Sequence, residues 1–362
     1  MPVRTLLRPA AVLLTAAALV GACGGSKSDD ATTGDTGGTT AAKLAPATLN
    51  SSGSTFAQAF YEQSIAAFQE QQPEVTINYG GGGSGKGRQE LQDQVTDFAG
   101  SDALIKPEDV PKYKGGEVLY VPTTAAPITV SYNLSGVDKL KLDAPTIAKI
   151  FQRQIKTWND PAIAALNPGA KLPSTAITVA HRADGSGTTD QFTKYLAAAA
   201  PDAWTLGSGS TVNWPADTQA GNGNTGVAQI VKGTAGAVGY VDLSDARAAQ
   251  LQMADLKNKA GKFVAPDVEA ATAALENVTL NPDLSYSALD ASGDTAYPIT
   301  AGTWVLLYKN QVDKAKGEAL KAFLTYVLTD GQKSARDIDY AALPDSMTKQ
   351  ALAQLNNIVL PG

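Results

Sequence analysis

The sequence predicts an α/β fold. Three observations carry that expectation. Short apolar or alternating runs recur from Thr48 onward, most of them close on glycine-rich turns, and the turns open into segments whose apolar residues fall at helical spacing. With 362 residues, 43% hydrophobic and 18% charged, the chain has material for one or two domains with a sizeable core. No internal repeat is visible.

The elements follow in order. FAQAFYEQSIAAFQ (56–69) places Phe56, Phe60, Ile65 and Phe68 on one helical face, with Thr55 and Phe56 in the first turn and Pro73 as the stop. VTINY (75–79) alternates as a strand, and the glycine run 80–85 leads into RQELQDQVTDF (88–98), where Leu91, Val95 and Phe98 keep helical spacing. EVLYVPTTAAPITVSYNL (117–134) reads as two strand-like runs around Pro122 and Pro127. ITVAHRAD (177–184) is a strand and TTDQFTKYLAAAA (188–200) an amphipathic helix. GAVGYVDL (236–243) and TWVLLYK (303–309) are strands, and GEALKAFLTYVLT (317–329) is a helix.

Ahead of this body lies an export signature. Arg4 and Arg8 precede an apolar run from Pro9 to Ala22, shorter than the about 20 residues a spanning helix needs but suited to the core of a secretory signal. The run ends LVGAC, like the lipobox of bacterial lipoproteins, which implies removal of residues 1–22 and lipidation of Cys23. A bland reading makes Cys23 a small residue at an ordinary cleavage site. As the one cysteine, it excludes a disulfide within the chain. Residues 24–46, rich in Gly, Ser, Thr, Ala and Asp, read as a flexible tether of roughly 25 Å as a random coil.

YGGGGSGKGR (79–88) nearly spells a nucleotide-binding P-loop, with Gly80, Gly85 and Lys86 in place. Gly87 stands where Ser or Thr would reach Mg²⁺, and an exported lipoprotein meets no ATP pool. A glycine-rich turn at a helix start still offers backbone N–H groups and a positive dipole end to an anion, and Ser84 adds a hydroxyl. The net charge of −6 argues against nucleic acid, so an anion would be held by local geometry rather than by a basic surface. SSGSTFAQAF (51–60) has the same design, with Thr55 and Phe56.

HRADGSGTTDQF (181–192) is the most specific of the three. Ser186 stands as an N-cap, Gly187 permits close approach, and the N–H groups of Gly187 and Thr188 face out of the helix start. Arg182 brings a planar cationic fork that Asp184 can fix in place. In TDFAGSDA (96–103), Asp102 ends a short strand. A carboxylate in an anion site suits hydrogen phosphate, which carries a proton to donate, and repels sulfate, which carries none near pH 7. The bland alternatives are a plain helix cap for the Ser-Gly-Thr start and a solvated acid for Asp102.

With these residues assembled, the chain resembles the high-affinity phosphate-binding proteins of bacterial phosphate ABC importers from about Leu49 to Leu360. The motifs are GSTF (53–56), GGGGSG (80–85), DFAGSDA (97–103), IKTWNDPAIAALNPG (155–169), RADGSGTTDQFTKYL (182–196), GAVGYV (236–241) and DYAALPD (339–345). The resemblance implies a two-domain periplasmic-binding-protein fold (type II) with a hinge and an interdomain cleft. Residues 48–124 with 298–362 would form one domain and 125–297 the other, crossing near Thr124 and Tyr297. Carried over, the phosphate ligands are Thr55, Phe56 (through its N–H), Ser84, Asp102, Arg182, Ser186, Gly187 and Thr188, with Asp184 supporting Arg182. The family often has Pro where this chain has Ala57, and a second Ser where it has Gly85. Lys86 then mimics a P-loop lysine and is expected in solvent.

The same resemblance implies a monomer anchored by lipid on the outer face of the cell membrane, working with a permease pair and an ATPase, without metal or cofactor. A secreted phosphatase is the competing class. His181 is the single histidine, which leaves no His-rich metal site, and strand alternation turns it away from Arg182. A purely structural lipoprotein needs no anion-type helix starts. Within the binding class, sulfate and arsenate are the rivals, and no residue speaks against arsenate.

Overall fold

The computed structural model describes residues 43–276 and 278–362. The signal segment 1–22, Cys23 and the tether through residue 42 lie outside the described residues.

The first elements alternate as the turn pattern requires: β1 (Ala47–Gly53), α1 (Gln58–Gln71), β2 (Val75–Gly82), α2 (Ser84–Gln92), β3 (Phe98–Ser101) and the long β4 (Val118–Tyr132). The middle holds β5 (Lys141–Leu142), α3 (Ala144–Phe151), α4 (Pro161–Leu166), β6 (Thr178–Arg182), α5 (Gly187–Ala199), β7 (Gln219–Gly221), α6 (Gly223–Gly233), β8 (Ala237–Asp242) and α7 (Leu243–Ala248). Then come β9 (Gln252–Met253), β10 (Asp255–Lys257), β11 (Phe263–Val264), α8 (Val268–Leu275), β12 (Thr300–Tyr308), α9 (Lys314–Leu328), α10 (Asp330–Ser334) and α11 (Asp345–Gln354).

One nine-stranded sheet runs β2-β1-β3-β12-β4-β8-β6-β7, with β9 also on β4, and a small sheet runs β11-β10-β5. β4 is the strand shared by two half-sheets. Residues Val118 to Pro127 pair antiparallel with β12, and Ile128 to Tyr132 pair antiparallel with β8. In the first half β1 lies parallel to both β2 and β3; in the second, β6 lies parallel to β7 and β8. Aromatic packing fills both halves, within one continuous core. Phe323 of α9 lies 5.5 Å from Phe68 of α1 and 5.9 Å from Phe98 of β3. In the second half Phe192 of α5 sits 4.8 Å from Phe151 and stacks on Tyr240 at 4.4 Å.

Three local expectations change. The helix foreseen over 88–98 is instead α2, which opens at Ser84 and ends at Gln92; Gln94 then turns at φ 57°, Val95 is 65% exposed, and Phe98 begins β3. Its apolar spacing fits a helix that stops and a strand that starts equally well. The two runs around Pro122 and Pro127 are one strand, with the pairing slipping by a residue at Thr303/Trp304 beside Pro122. Proline lacks the N–H for a ladder bond and is tolerated at such an irregularity. Helix α1 opens at Gln58, so Thr55 and Phe56 stand before its first turn and not within it. Phe56, Phe60, Ile65 and Phe68 are all buried as expected.

Candidate functional site

In an open α/β sheet the crevice forms beyond the carboxyl ends of the parallel strands, where connections leave in opposite directions. Here β1 ends in Gly53 and leads to Ser54, Thr55 and Phe56, β2 ends in Gly82 and leads to Ser84, and β3 leads to Asp102. From the other half-sheet, β6 ends in Arg182 and β7 leads to Asn224. Contacts join the two sets: Gly85 N–H donates to the Gly185 carbonyl at 2.7 Å, and Gln191 Nε2 donates to the Asp102 carbonyl at 2.6 Å.

Arg182 is buried and oriented by its neighbours. Nε donates to Asp184 Oδ1 at 2.8 Å, Nη2 to Oδ2 at 2.5 Å and Nη1 to Thr188 Oγ1 at 3.3 Å. Gly223 N–H adds a donor to Asp184 Oδ1 at 3.0 Å. Burial alone would raise the Asp184 carboxyl, but the hydrogen bond and charge of Arg182 outweigh it and hold the group below the usual carboxylate range.

Ser186 caps α5, its Oγ accepting from Thr189 N–H at 3.0 Å. Gly187 and Thr188 are the first helical residues, so their N–H groups have no acceptor within the helix. Ser84 plays a different part from a cap. Gly83, at φ 89°, is the capping residue of α2, a left-handed turn that favours glycine. Ser84 Oγ accepts from Asp102 N–H at 3.0 Å and donates to Asp102 Oδ2 at 3.2 Å. Gly187 closes the group: a β-carbon there would collide with Ser84 Oγ and lie 2.6 Å from Asp102 Oδ2.

Ser84, Asp102 and Gly187 thus meet, and Arg182 and Thr188 meet beside them. Thr55 is tied to the second group through Asn224, whose backbone N donates to Thr55 Oγ1 at 3.2 Å and whose Nδ2 donates to Thr188 Oγ1 at 3.1 Å. The Phe56 carbonyl accepts from Tyr340 Oη at 2.7 Å, which anchors the turn that carries the Phe56 N–H.

Sequence reasoning missed Asn224, Ser54 and Thr303. Ser54 lies inside the quoted GSTF motif, one place before Thr55, and that position was its only signal. Asp102 Oδ1 accepts from Ser54 Oγ at 2.5 Å and from Thr303 Oγ1 at 2.7 Å. Burial raises the Asp102 carboxyl above its ordinary value, and the Ser54 and Thr303 hydroxyls, the Arg182 charge and the Ser84 hydroxyl offset this in part. The other charged candidates stand apart. Lys86 is about half exposed, 3.7 Å from Glu90. His181 stacks on Trp214 at 5.0 Å, with Nδ1 2.9 Å from the Arg182 carbonyl. Among the described residues no group of three or more His, Cys, Asp or Glu is placed to hold a metal.

The structure thus gathers a buried polar cluster with the Arg182 guanidinium, the Asp102 carboxylate, several hydroxyls and two helix starts, a set matched to a small tetrahedral oxyanion.

Comparison with known proteins gives the family. The family model described as "PBP superfamily domain" matches residues 31–331. Phosphate-binding protein PstS of Methanocaldococcus jannaschii is 39% identical over 334 residues, covering 86% of each chain. Phosphate-binding protein PstS 3 of Mycobacterium leprae is 33% identical over 359 residues, covering 96% of this chain and 97% of the relative. Among solved structures, a high-affinity periplasmic phosphate-binding protein, PfluDING, bound with phosphate at pH 8.5, superposes with a TM-score of 0.71 at 20% identity, over 87% of this chain and 100% of that one. These likenesses give the two half-sheets their name, the two-domain periplasmic-binding-protein fold. By its matched span and its identity to these relatives, the chain belongs to the PBP superfamily, within the family of phosphate-binding proteins PstS.

Proposed function

We propose that this protein binds inorganic phosphate outside the cytoplasmic membrane and hands it to an ABC-type phosphate importer. The observation that carries the reading is the burial together of Arg182, held by Asp184, and Asp102, whose Oδ2 keeps an acceptor direction free. The ligand set is Thr55, Phe56, Ser84, Asp102, Arg182, Ser186, Gly187 and Thr188. Arg182 neutralises ligand charge, while the hydroxyls and helix-start N–H groups take the remaining oxygen lone pairs. Asp102 Oδ2 accepts the ligand's proton, so a fully deprotonated oxyanion would set two acceptors against each other in a dry site.

Residues 48–124 with 298–362 form one lobe and 125–297 the other, with the shared strand β4 as part of the hinge. The ion pairs Arg247–Asp339 and Arg336–Glu269 then join the lobes when the cleft is shut. No chemistry on the phosphate is involved: the protein is a carrier, and the permease and ATPase are separate chains. The lipobox-like LVGAC supports anchoring through a lipid on Cys23; among the described residues no helix is long and apolar enough to cross a membrane. Equilibrium dialysis of ligand-stripped protein against labelled phosphate tests the reading: one phosphate retained per chain supports it, and none retained removes it.

A further inference from the structure

Asp102 is held more tightly at one oxygen than at the other. Its Oδ1 receives the Ser54 hydroxyl at 2.5 Å and the Thr303 hydroxyl at 2.7 Å, and both donors are fully buried. Two donors use both lone pairs of that oxygen. Oδ2 has the Ser84 hydroxyl at 3.2 Å and faces Gly187 across the cleft, with one acceptor direction left.

The two hydroxyls are themselves aimed. Ser54 Oγ accepts from Ala57 N–H at 3.1 Å, which leaves its hydrogen for Asp102. Thr303 sits where the β12–β4 register slips, a type of irregularity that re-aims a side chain beside a functional site. Next to it, Thr123 Oγ1 meets Tyr61 Oη at 2.9 Å, so the supporting network reaches the shared strand β4.

We propose that Ser54 and Thr303 are specificity-determining positioning residues: by saturating Oδ1 they keep Asp102 ionised and present Oδ2 as a single proton acceptor to the ligand. The proposal rests on the phosphate reading of the cleft. Without these donors a buried carboxyl takes up a proton more readily. A protonated Asp102 is a donor, and a donor welcomes sulfate as well as phosphate. The groups facing Asp102 do not blur this. Tyr61 of α1, Tyr79 of β2 and Tyr340 are pushed by burial above the usual phenol range, and the Arg182 guanidinium of β6 is held by Asp184.

The test is calorimetric titration of the wild type, Thr303→Val, Ser54→Ala and the conservative Thr303→Ser with phosphate and with sulfate, from pH 5 to 9. The ligand's own ionisation is common to all of them, so differences report on Asp102. In Thr303→Val, phosphate binding is expected to persist at the alkaline end and to weaken at a higher pH than in the wild type. Sulfate should bind where the wild type refuses it, with the phosphate preference narrowed at least about tenfold. Thr303→Ser should restore both. If Thr303→Val does not fold, Ser54→Ala gives the same readout. A uniform loss of affinity with an unshifted pH profile and intact sulfate rejection overturns the proposal, because a merely structural role predicts that pattern. A wild type that binds no phosphate overturns the underlying reading and this proposal together.

Discussion

Arg182 and Asp184, two residues apart in sequence, form a forked ion pair in which Nε meets Oδ1 at 2.8 Å and Nη2 meets Oδ2 at 2.5 Å. The fork fixes the guanidinium plane and leaves Nη1 directed at Thr188 Oγ1. A planar, pre-oriented cation loses little entropy when an oxyanion arrives.

Arg182→Ala is therefore expected to be the most damaging single change, costing about 3–5 kcal/mol of phosphate binding because it strands charge in a dry site. Arg182→Lys should recover little, since an ammonium cannot reproduce the fork. Calorimetric Kd values for both variants check this.

Asp184 gives a pH-dependent signature in the empty protein. Its folded-state carboxyl is held below the ordinary range, chiefly against its own burial and by Arg182. The stabilisation is therefore complete above the unfolded carboxylate value and is lost as pH falls through the lowered folded value. Asp184→Asn should melt several degrees (~4 °C) below wild type at pH 7. That gap should close in strong acid, as thermal melts across pH would record.

Gly187→Ala tests the close approach at the start of α5. Gly187 is the first residue of that helix, so alanine gains little there, and the collision with Ser84 and Asp102 should leave the melting temperature level or lower. The added methyl collides with Ser84 Oγ and Asp102 Oδ2 across the cleft, and phosphate affinity should fall at least about a hundredfold.

Lys86→Ala should change phosphate affinity less than about threefold, because the side chain is half exposed and paired with Glu90 along the helix. A tenfold loss in a direct titration would show that the P-loop-like lysine serves the cleft after all.

Much of the candidate site's local geometry was legible because its parts are close in sequence. Ser186, Gly187 and Thr188 announce a helix start within a few residues, and Asp102 stands at the end of a short strand that the apolar pattern marks. The Arg182–Asp184 pair spans two positions. Thr303 was not legible, since it reaches Asp102 from a strand 201 residues away, and a threonine in an apolar strand looks like any other. Asn224 likewise touches Thr55 only through the folded sheet. At the level of elements, Val95 and Phe98 kept helical spacing past the point where α2 had ended, because three apolar positions cannot tell one long helix from a helix, a turn and a strand. Pro122 and Pro127 suggested a break in what is one strand, because the register slip that accommodates Pro122 is set by its partner strand β12.

The most direct test of the account is competition of sulfate against phosphate at pH 7, in the wild type and in Asp102→Asn. The account predicts that excess sulfate leaves phosphate bound to the wild type and displaces it from the variant, whose amide can donate to a fully deprotonated oxygen. Sulfate displacing phosphate from the wild type, or failing equally against both proteins, would contradict the role assigned to Asp102.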